Sequence, residues 1–273
     1  DDVAGTPVTK KITVSNLVTD TNLTVTDITT GNSSTTKHGF LPKLPNLDHQ
    51  FLDGTGAWVN LQGTDGWYKD TDTWEYVSAT SFRIVGKNVA IRFLKGTKIV
   101  LVQTSGKYFY VLYATYTGGN TVVTVTGGSN YSIANATITA AYYSYAENPQ
   151  GFPQWFNWTP TLTGYSSNPT DTVYRFCISG GKVYVSIREV TNGTSNGAGI
   201  SITLPVTAAT ISNQIWMYPA AFVNAGTVST TWGRGVIGSA DNKVVFGINP
   251  AVQDGFTLSG GKRISSFEGW YEF

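Results

Sequence analysis

The sequence has little charge and no excess of either sign. Only 13% of its 273 residues are charged, about half of the roughly 25% that is usual in soluble domains. The 18 basic and 17 acidic side chains leave a net charge of +1, and the basic residues form no block. A nucleic-acid-binding surface, which needs clustered cations, is therefore not predicted. Polarity comes mostly from hydroxyl and amide groups, which suits neutral polar ligands such as sugars, or a symmetric protein partner.

Cysteine and histidine are almost missing. Cys177 is the one cysteine, so an intrachain disulfide and a cysteine-based zinc site are excluded. It lies in an alternating run, residues 173–178, and we interpret it as a buried thiol on a strand. His38 and His49 are too few for a three-histidine metal site within one chain. Three copies around a threefold axis could share such a site, but we interpret both as surface or hydrogen-bonding residues.

Catalytic motifs are missing as well. Neither histidine is accompanied by a G-x-S-x-G element, and there is no P-loop or dinucleotide-binding glycine pattern. Glycoside cleavage needs two facing carboxylates, whereas most acidic residues here lie at turns, where aspartate bonds its own backbone. Asp65, Asp70 and Asp72 could approach a calcium ion, but further ligands are lacking. We therefore predict no enzyme activity, no catalytic residue, no metal and no cofactor.

Long hydrophobic runs are also absent. The longest near-apolar run, residues 108–114, is far too short to cross a bilayer as a helix, so membrane insertion is not predicted. The sequence starts without a methionine or a signal peptide, and we expect a processed chain or a part of a longer protein.

The dominant pattern that is present is β-strand, broken by turns. Residues 12–15 and 23–26 alternate apolar and hydroxyl side chains, so we predict an extended segment over residues 1–35. Such short strands bury too little surface alone, and they need the rest of the chain or identical copies as partners. Pro42 and Pro45 exclude a helix from the next segment, residues 36–66, which we interpret as a linker.

Two β domains are predicted after the linker, over residues 67–147 and 148–273. Glycine-rich turns separate β-branched and aromatic runs at the spacing typical of sandwiches and barrels, and segment 148–153 marks the boundary. The predicted strands are residues 73–78, 81–85, 88–93, 97–103, 107–115, 121–126, 137–145, 174–178, 182–189, 200–205, 244–248, 256–258 and 267–273. The predicted fold class is all-β and elongated, with a short shaft-like N-terminal segment followed by β-sandwich, jelly-roll-like modules.

Three pieces of the sequence resemble tail-fibre and other virion structural proteins of bacteriophages. The first reads HGFLPKL at 38–44 and QFLDGTGAW at 50–58, and the second covers residues 107–153 with its Gly-Gly turns and tyrosine pairs. The third runs from WTPTLTGYS at 158–166 through GGKVYVSI at 180–187 to GWYEF at 269–273. In such proteins an element like the first piece joins an extended shaft to a C-terminal β head.

The resemblance implies an attachment function on the virion. We expect a tail-fibre or receptor-binding protein that forms a homotrimer, contacts other tail proteins and binds host cell-surface polysaccharide or another receptor. A trimer would also make weak sugar sites effective through avidity. Alternatives are a purely structural virion part such as a head fibre or baseplate component, a polysaccharide depolymerase, and a secreted carbohydrate-binding module.

Eight tryptophans are the best signal for a ligand site. Aromatic faces carry sugar rings well because they combine flat apolar area with a polar edge. We interpret Trp158 and Trp270 as core, and Trp58 and Trp67 as packing at the junction of shaft and head. The glycan site is predicted in the glycine-flanked stretch that holds Trp232, Arg234, Asp241 and Asn242. The alternative is that Trp232 covers the edge of the sandwich, and loop 192–197 is another candidate tip.

Overall fold

The computed structural model describes residues 50–52, 58–60, 65–212, 214–251 and 255–273. Strands account for 53% of the described residues and helix for 1%, so the prediction of an all-β fold is confirmed. The chain divides into two units after Thr64. In the first unit, β1 (Gln50–Leu52) pairs antiparallel with β2 (Trp58–Asn60). The predicted shaft, both histidines, and Pro42 and Pro45 of the predicted linker lie outside the described residues, whereas β1 and β2 fall within the linker range 36–66.

The second unit, Asp65–Phe273, contains two antiparallel sheets. The strands of the first sheet are β3 (Tyr68–Asp70), β4 (Trp74–Ser78), β5 (Ser81–Ile84), β6 (Lys98–Val102), β7 (Gly106–Thr117), β8 (Asn120–Thr126) and β9 (Ala140–Ser144). Their order in space is β3-β9-β6-β7-β8-β5-β4. Residues 71–73 join β3 directly to β4, the two edges of this sheet, so the sheet curls around its own core.

Aromatic rings form much of that core. Trp74 stacks on Phe82 with ring centroids 4.1 Å apart, and Phe93 meets both rings edge-on. The strand predicted at residues 88–93 is wrong, because this segment holds a short 3-10 helix, Ala90–Arg92, instead. Strand β5 already pairs with β4 and β8, and β8 also pairs with β7. Both edges of β5 and of β8 are therefore hydrogen-bonded, and segment 88–93 cannot pair with either strand. Phe93 reaches the core from the end of this helix.

The second sheet has 12 strands. They are β10 (Phe156–Asn157), β11 (Leu162–Thr163), β12 (Tyr165–Ser167), β13 (Thr172–Ser179), β14 (Lys182–Glu189), β15 (Gly193–Ser195), β16 (Ile200–Thr203), β17 (Ile215–Asn224), β18 (Thr227–Val228), β19 (Gly233–Gly238), β20 (Lys243–Gly247) and β21 (Gly261–Glu272). The main order is β10-β13-β14-β21-β17-β19-β20-β16-β11, with β12, β15 and β18 paired beside it.

Seven strands of this sheet escaped prediction, and one predicted strand is absent. Five of the seven have only two or three residues, namely β10, β11, β12, β15 and β18, and the two longer ones are β17 and β19. Strands β17 and β19 contain Pro219 and three glycines, which weaken a sequence signal for strand. Residues 256–258 form no strand, although Phe256 is buried and its N–H donates to the carbonyl of Ala198. Trp158 is a core residue, as predicted.

An aromatic junction joins the two sheets. Tyr110 of β7 packs into the core of the second sheet, with its ring centroid 5.0 Å from that of Phe152 and 5.2 Å from that of Phe156. Phe152 belongs to the segment predicted as a domain boundary, and its ring fills the space between the sheets. The backbone N–H of Ser129 donates to the carbonyl of Asn157 across the same junction, at 2.7 Å.

Substitution of Gly128 tests how much the junction contributes to the stability of the fold. Its φ is +59°, and a Cβ atom there would lie 2.0 Å from the carbonyl oxygen of Asn157. We expect Gly128→Ala to lower the free energy of unfolding by ~3 kcal/mol, because backbone must move to relieve the overlap. Gly118 has nearly the same φ, +56°, but open space around it. Gly118→Ala should therefore cost only ~1 kcal/mol of conformational strain. Urea unfolding of both variants measures the difference, and equal costs would contradict the role of the junction.

Candidate functional site

A row of aromatic side chains crosses four strands on the outward face of the second sheet. Cys177 of β13 lies opposite Tyr184 of β14, and Tyr184 lies opposite Trp270 of β21. Phe156 of β10 pairs with Phe176, which places the preceding Trp155 beside Cys177. Because neighbouring strand residues point to opposite faces, these four side chains point away from the core that Phe176 and its neighbours form. The row is about 14 Å long from β10 to β21.

The row borders an open groove of about 390 Å³. Trp155 and Tyr184 are 38% and 36% exposed, and Trp270 is partly exposed. Tyr218 of β17 closes the groove at the far side, where its hydroxyl donates to the carbonyl of Trp270 at 2.7 Å. Gly269 makes room for this ring, because a Cβ atom there would lie 2.5 Å from Cδ2 of Tyr218. The groove has an aromatic lining that is fixed by strand pairing and by one side-chain hydrogen bond.

Polar and charged groups surround the aromatic row. Arg175, Ser186 and Glu268 form the adjacent row on the same face, and the Ser186 hydroxyl donates to Oε1 of Glu268 at 3.4 Å. The guanidinium of Arg175 lies 4.8 Å from the ring centroid of Trp155. Nζ of Lys182 lies 3.8 Å from the ring centroid of Trp270. Each cation therefore covers one face of a ring at an end of the row, and neither is among the residues that line the groove.

This arrangement is suited to holding a sugar chain. Aromatic rings offer flat apolar area to the C–H groups of sugar rings, and a few placed polar groups fix the orientation of the ligand. Glu268 can accept hydrogen bonds from sugar hydroxyls. It is the one acidic side chain among the described residues that line the groove, whereas glycoside cleavage uses two facing carboxylates. The lining can therefore stack on sugar rings and accept hydrogen bonds from their hydroxyls.

Sequence reasoning missed this row. Trp270, which we interpreted as core, is partly buried and packs against the core cluster, but alternation in β21, which buries Phe267 and Tyr271, places its side chain on the opposite face. Cys177 is on a strand as predicted, but the thiol is half-buried and stands on the outward face too. The alternation in residues 182–187 marks Tyr184 as an outward position. Only the pairing of β10, β13, β14 and β21 reveals that three aromatic residues line up.

The four residues predicted as a glycan site lie at two places. Trp232 is 63% exposed at the start of β19, and Arg234 follows on the outward side of that strand. The Nη1 group of Arg234 donates to the carbonyl of Pro250 at 2.8 Å. Asp241 and Asn242 belong to the turn after β19, roughly 20 Å away along the strand. Trp232 and Arg234 therefore share the outward face with the aromatic row, and the turn residues stand apart from them.

Asp241 has a local structural role. Its Oδ2 accepts the N–H of Gly238 at 3.0 Å, and its backbone carbonyl accepts the N–H of Ala208 at 2.8 Å. The carbonyl of Asn242 accepts the N–H of Leu204 at 2.7 Å. These bonds close the β19–β20 turn and tie it to the segment after β16, which is the capping role common for aspartate in turns.

The acidic residues considered for calcium are engaged by cations of the protein. Asp70 and Asp72 accept from Nη1 of Arg92 at 2.6 and 3.0 Å, and Lys87 also pairs with Asp72. The hydrogen bond from Lys87 is the main cause that holds the pKa of Asp72 below its ordinary value. Asp65 accepts the N–H of Trp67 at 2.9 Å. Within the described ranges, no group of three or more His, Cys, Asp or Glu side chains is placed to hold a metal ion.

A second cluster, Glu189 with its partners, is buried and enclosed. Glu189 is 1% exposed, and it accepts from the hydroxyls of Tyr174 at 2.9 Å and Tyr165 at 3.1 Å and from the N–H of Ile264 at 2.6 Å. Burial raises the pKa of Glu189 and of both tyrosines. Buried Lys262 lies beside Tyr165 and donates to the carbonyl of Gly197 at 2.6 Å. These bonds fix the 192–199 loop, and no ligand can approach Glu189 without displacing core residues.

No protein-family model, curated protein or solved structure matches this chain. Over the described residues, no helix is long and apolar enough to span a membrane.

Glu189 makes the stability of the fold depend on pH. Its pKa is raised above the ordinary 4.5, so the folded chain binds this proton more tightly than the unfolded chain. The stabilising contribution of the protonated group is complete below about pH 4.5 and is lost as the pH rises through the raised pKa. We expect the unfolding free energy of the wild type, relative to Glu189→Gln, to fall between about pH 4 and the raised pKa. Denaturant titrations across this range measure it.

The control for this prediction is Glu75→Gln, which replaces a surface glutamate paired with Arg83. This control keeps Glu189, so its unfolding free energy relative to Glu189→Gln should show the same fall over this pH range. Parallel curves for the wild type and Glu189→Gln would show that Glu189 binds its proton equally in both states, contrary to the prediction.

Proposed function

We propose that this protein attaches to a cell surface by binding glycans along the outward aromatic row. The observation that carries the proposal is the register of β10, β13, β14 and β21, which aligns Trp155, Tyr184 and Trp270 across one sheet face. Rigid strands hold the three rings at fixed spacing, so little conformational freedom is lost when a ligand stacks on them.

The wider role is that of a phage tail-fibre or receptor-binding protein on the virion. The sequence motifs described above support it, and a face of exposed aromatic side chains suits an adhesive function. A purely structural virion part would need no such row of rings. A depolymerase would need a second carboxylate opposite Glu268, and the described lining of the groove offers one acidic side chain.

A homotrimer belongs to this proposal. One open groove with three rings gives modest affinity, because an open site leaves much of the ligand in water. Three copies on one particle raise the overall avidity by making later binding events intramolecular. Weak sites and strong attachment are therefore compatible.

The binding face is tested by Tyr184→Ala. Loss of the central ring should cost about 1 kcal/mol of stacking, roughly a fivefold loss of affinity per site, and a larger loss for a multivalent particle. The matched control is Tyr113→Ala, which removes a 57% exposed tyrosine from a strand of the other sheet. Binding of labelled protein to host cells is the measurement. If both variants bind like the wild type, the aromatic row has no part in attachment.

Trp232→Ala belongs in the same assay as a separate arm. Reduced binding by this variant would extend the site along the outward face to β19. Unchanged binding, together with a defect in Tyr184→Ala, would limit the site to the groove.

The oligomeric state is measured by light scattering coupled to size exclusion. We expect a mass of three times the 29.4 kDa of the chain. Dilution of the sample checks that the assembly is stable rather than a concentration effect. A mass of 29.4 kDa would contradict the trimer and remove avidity from the account of binding.

A further inference from the structure

We propose that the ligand of the aromatic row is an acidic polysaccharide, and that Arg175 binds a carboxylate of its sugar units. This inference rests on the proposed glycan binding and specifies its ligand class. It is based on the charge pattern around the groove and on the unusual state of the Arg175 guanidinium.

Cations collect on the face that carries the row. The sequence as a whole is nearly neutral, with a net charge of +1. Strand alternation nevertheless places five cations and two carboxylates on the outward side of β13, β14, β19 and β21. The cations are Arg175, Lys182, Arg188, Arg234 and Arg263, and the carboxylates are Glu268 and Glu272. Among the residues described, none of these seven forms a salt bridge, and all ion pairs belong to the first sheet and its connections.

Arg175 is the cation best placed to meet a ligand in the groove. Its guanidinium lies over Trp155, at one end of the row. Nε is buried without an acceptor, and the guanidinium donates no hydrogen bond to any described residue. A partly buried arginine without acceptors is costly, because it gives up water without replacing all of its hydrogen bonds. A planar carboxylate that docks beside Trp155 would supply two parallel acceptors to the fork.

Lys182 extends the same pattern to the other end of the row, where it lies over Trp270. A chain of sugar rings lying along the row would thus meet a cation at each end. Ser186 and Glu268 lie in the adjacent row, beside Tyr184 on β14 and Trp270 on β21, where they can bond hydroxyl groups. A polymer with periodic carboxylates would meet the two cations, and the hydroxyl groups between its carboxylates would meet Ser186 and Glu268.

The same residue types, aromatic rings and arginine, also occur where proteins bind single-stranded nucleic acid. Two carboxylates on the face disfavour that ligand, since every nucleotide brings a phosphate and Glu268 lies beside the groove itself. In an acidic polysaccharide the charges can be spaced further apart, and the hydroxyls between them can donate to Glu268.

The experiment compares matched polymers. Binding of the full chain is measured by calorimetry to uronate polymers of differing sugar configuration, each also in its carboxyl-reduced, neutral form. We expect at least one uronate to bind about tenfold or more tightly than its reduced form, the range for a charge-assisted hydrogen bond. Arg175→Gln should abolish that preference. Arg175→Lys keeps the charge without the planar fork and should lose most of it.

Arg188→Gln is the control, because it removes one positive charge from the same face. Arg188 of β14 lies opposite Val173, which is two residues from Arg175 along β13. It should change the preference by less than about threefold, the range of a screened surface charge. Equal losses from Arg188→Gln and Arg175→Gln would overturn the specific role of Arg175 in favour of a general positive field.

The remaining outcomes separate this inference from the proposed function. Equal binding of uronate and reduced forms, weakened by Tyr184→Ala, would overturn the inference and leave glycan binding intact. Tighter binding of single-stranded DNA than of every uronate would overturn the acidic-sugar ligand. Absence of binding to every polymer, together with wild-type cell attachment by Tyr184→Ala, would overturn both.

Discussion

Strand register is the constraint on which the rest of this structure depends. The pairing of β13, β14 and β21 puts Phe176, Val185 and Tyr271 into the core and, by the same alternation, puts Tyr184 and Trp270 outside. A slip of one residue between any two strands would exchange the faces, burying charged side chains and exposing the core. Core packing therefore fixes the arrangement of the surface rings. The spacing of the rings in the proposed site therefore follows mainly from hydrophobic burial, and the hydrogen bond from Tyr218 to the carbonyl of Trp270 adds to it.

The two sheets depend on each other in a similar way. Tyr110 belongs to a strand of the first sheet but packs with the core of the second, and Phe152 fills the junction from the connecting segment. Close approach of backbones at Gly128 leaves no room for a side chain. These contacts at the junction hold β10, and with it the adjacent Trp155, against the rest of the sheet. The rigidity of the proposed site thus extends beyond the four strands that carry it.

Buried polar groups in the second sheet restrict which residues and loop conformations the fold can accept, because their hydrogen-bond partners must be kept. Glu189 and Lys262 are almost fully enclosed, and every bond they make replaces hydration that burial removes. Their hydrogen bonds fix the loop after β15. The cost is that burial disfavours the ionised form of the Glu189 carboxyl group. Unlike these groups, Arg175 is half-buried, and its guanidinium finds no hydrogen-bond acceptor among the described residues.

The sequence by itself determined the all-β class, most strands and the absence of cysteine chemistry, because alternation, turn residues and residue counts are local properties. It also pointed to tryptophan as the residue type to follow. The 3-10 helix at Ala90–Arg92 could not be predicted, since the neighbouring ladder positions are filled by strands distant in sequence. The aromatic row was likewise decided by tertiary structure alone. Trp155, Tyr184 and Trp270 are far apart along the chain, and only long-range pairing, which no local pattern encodes, brings them to one face.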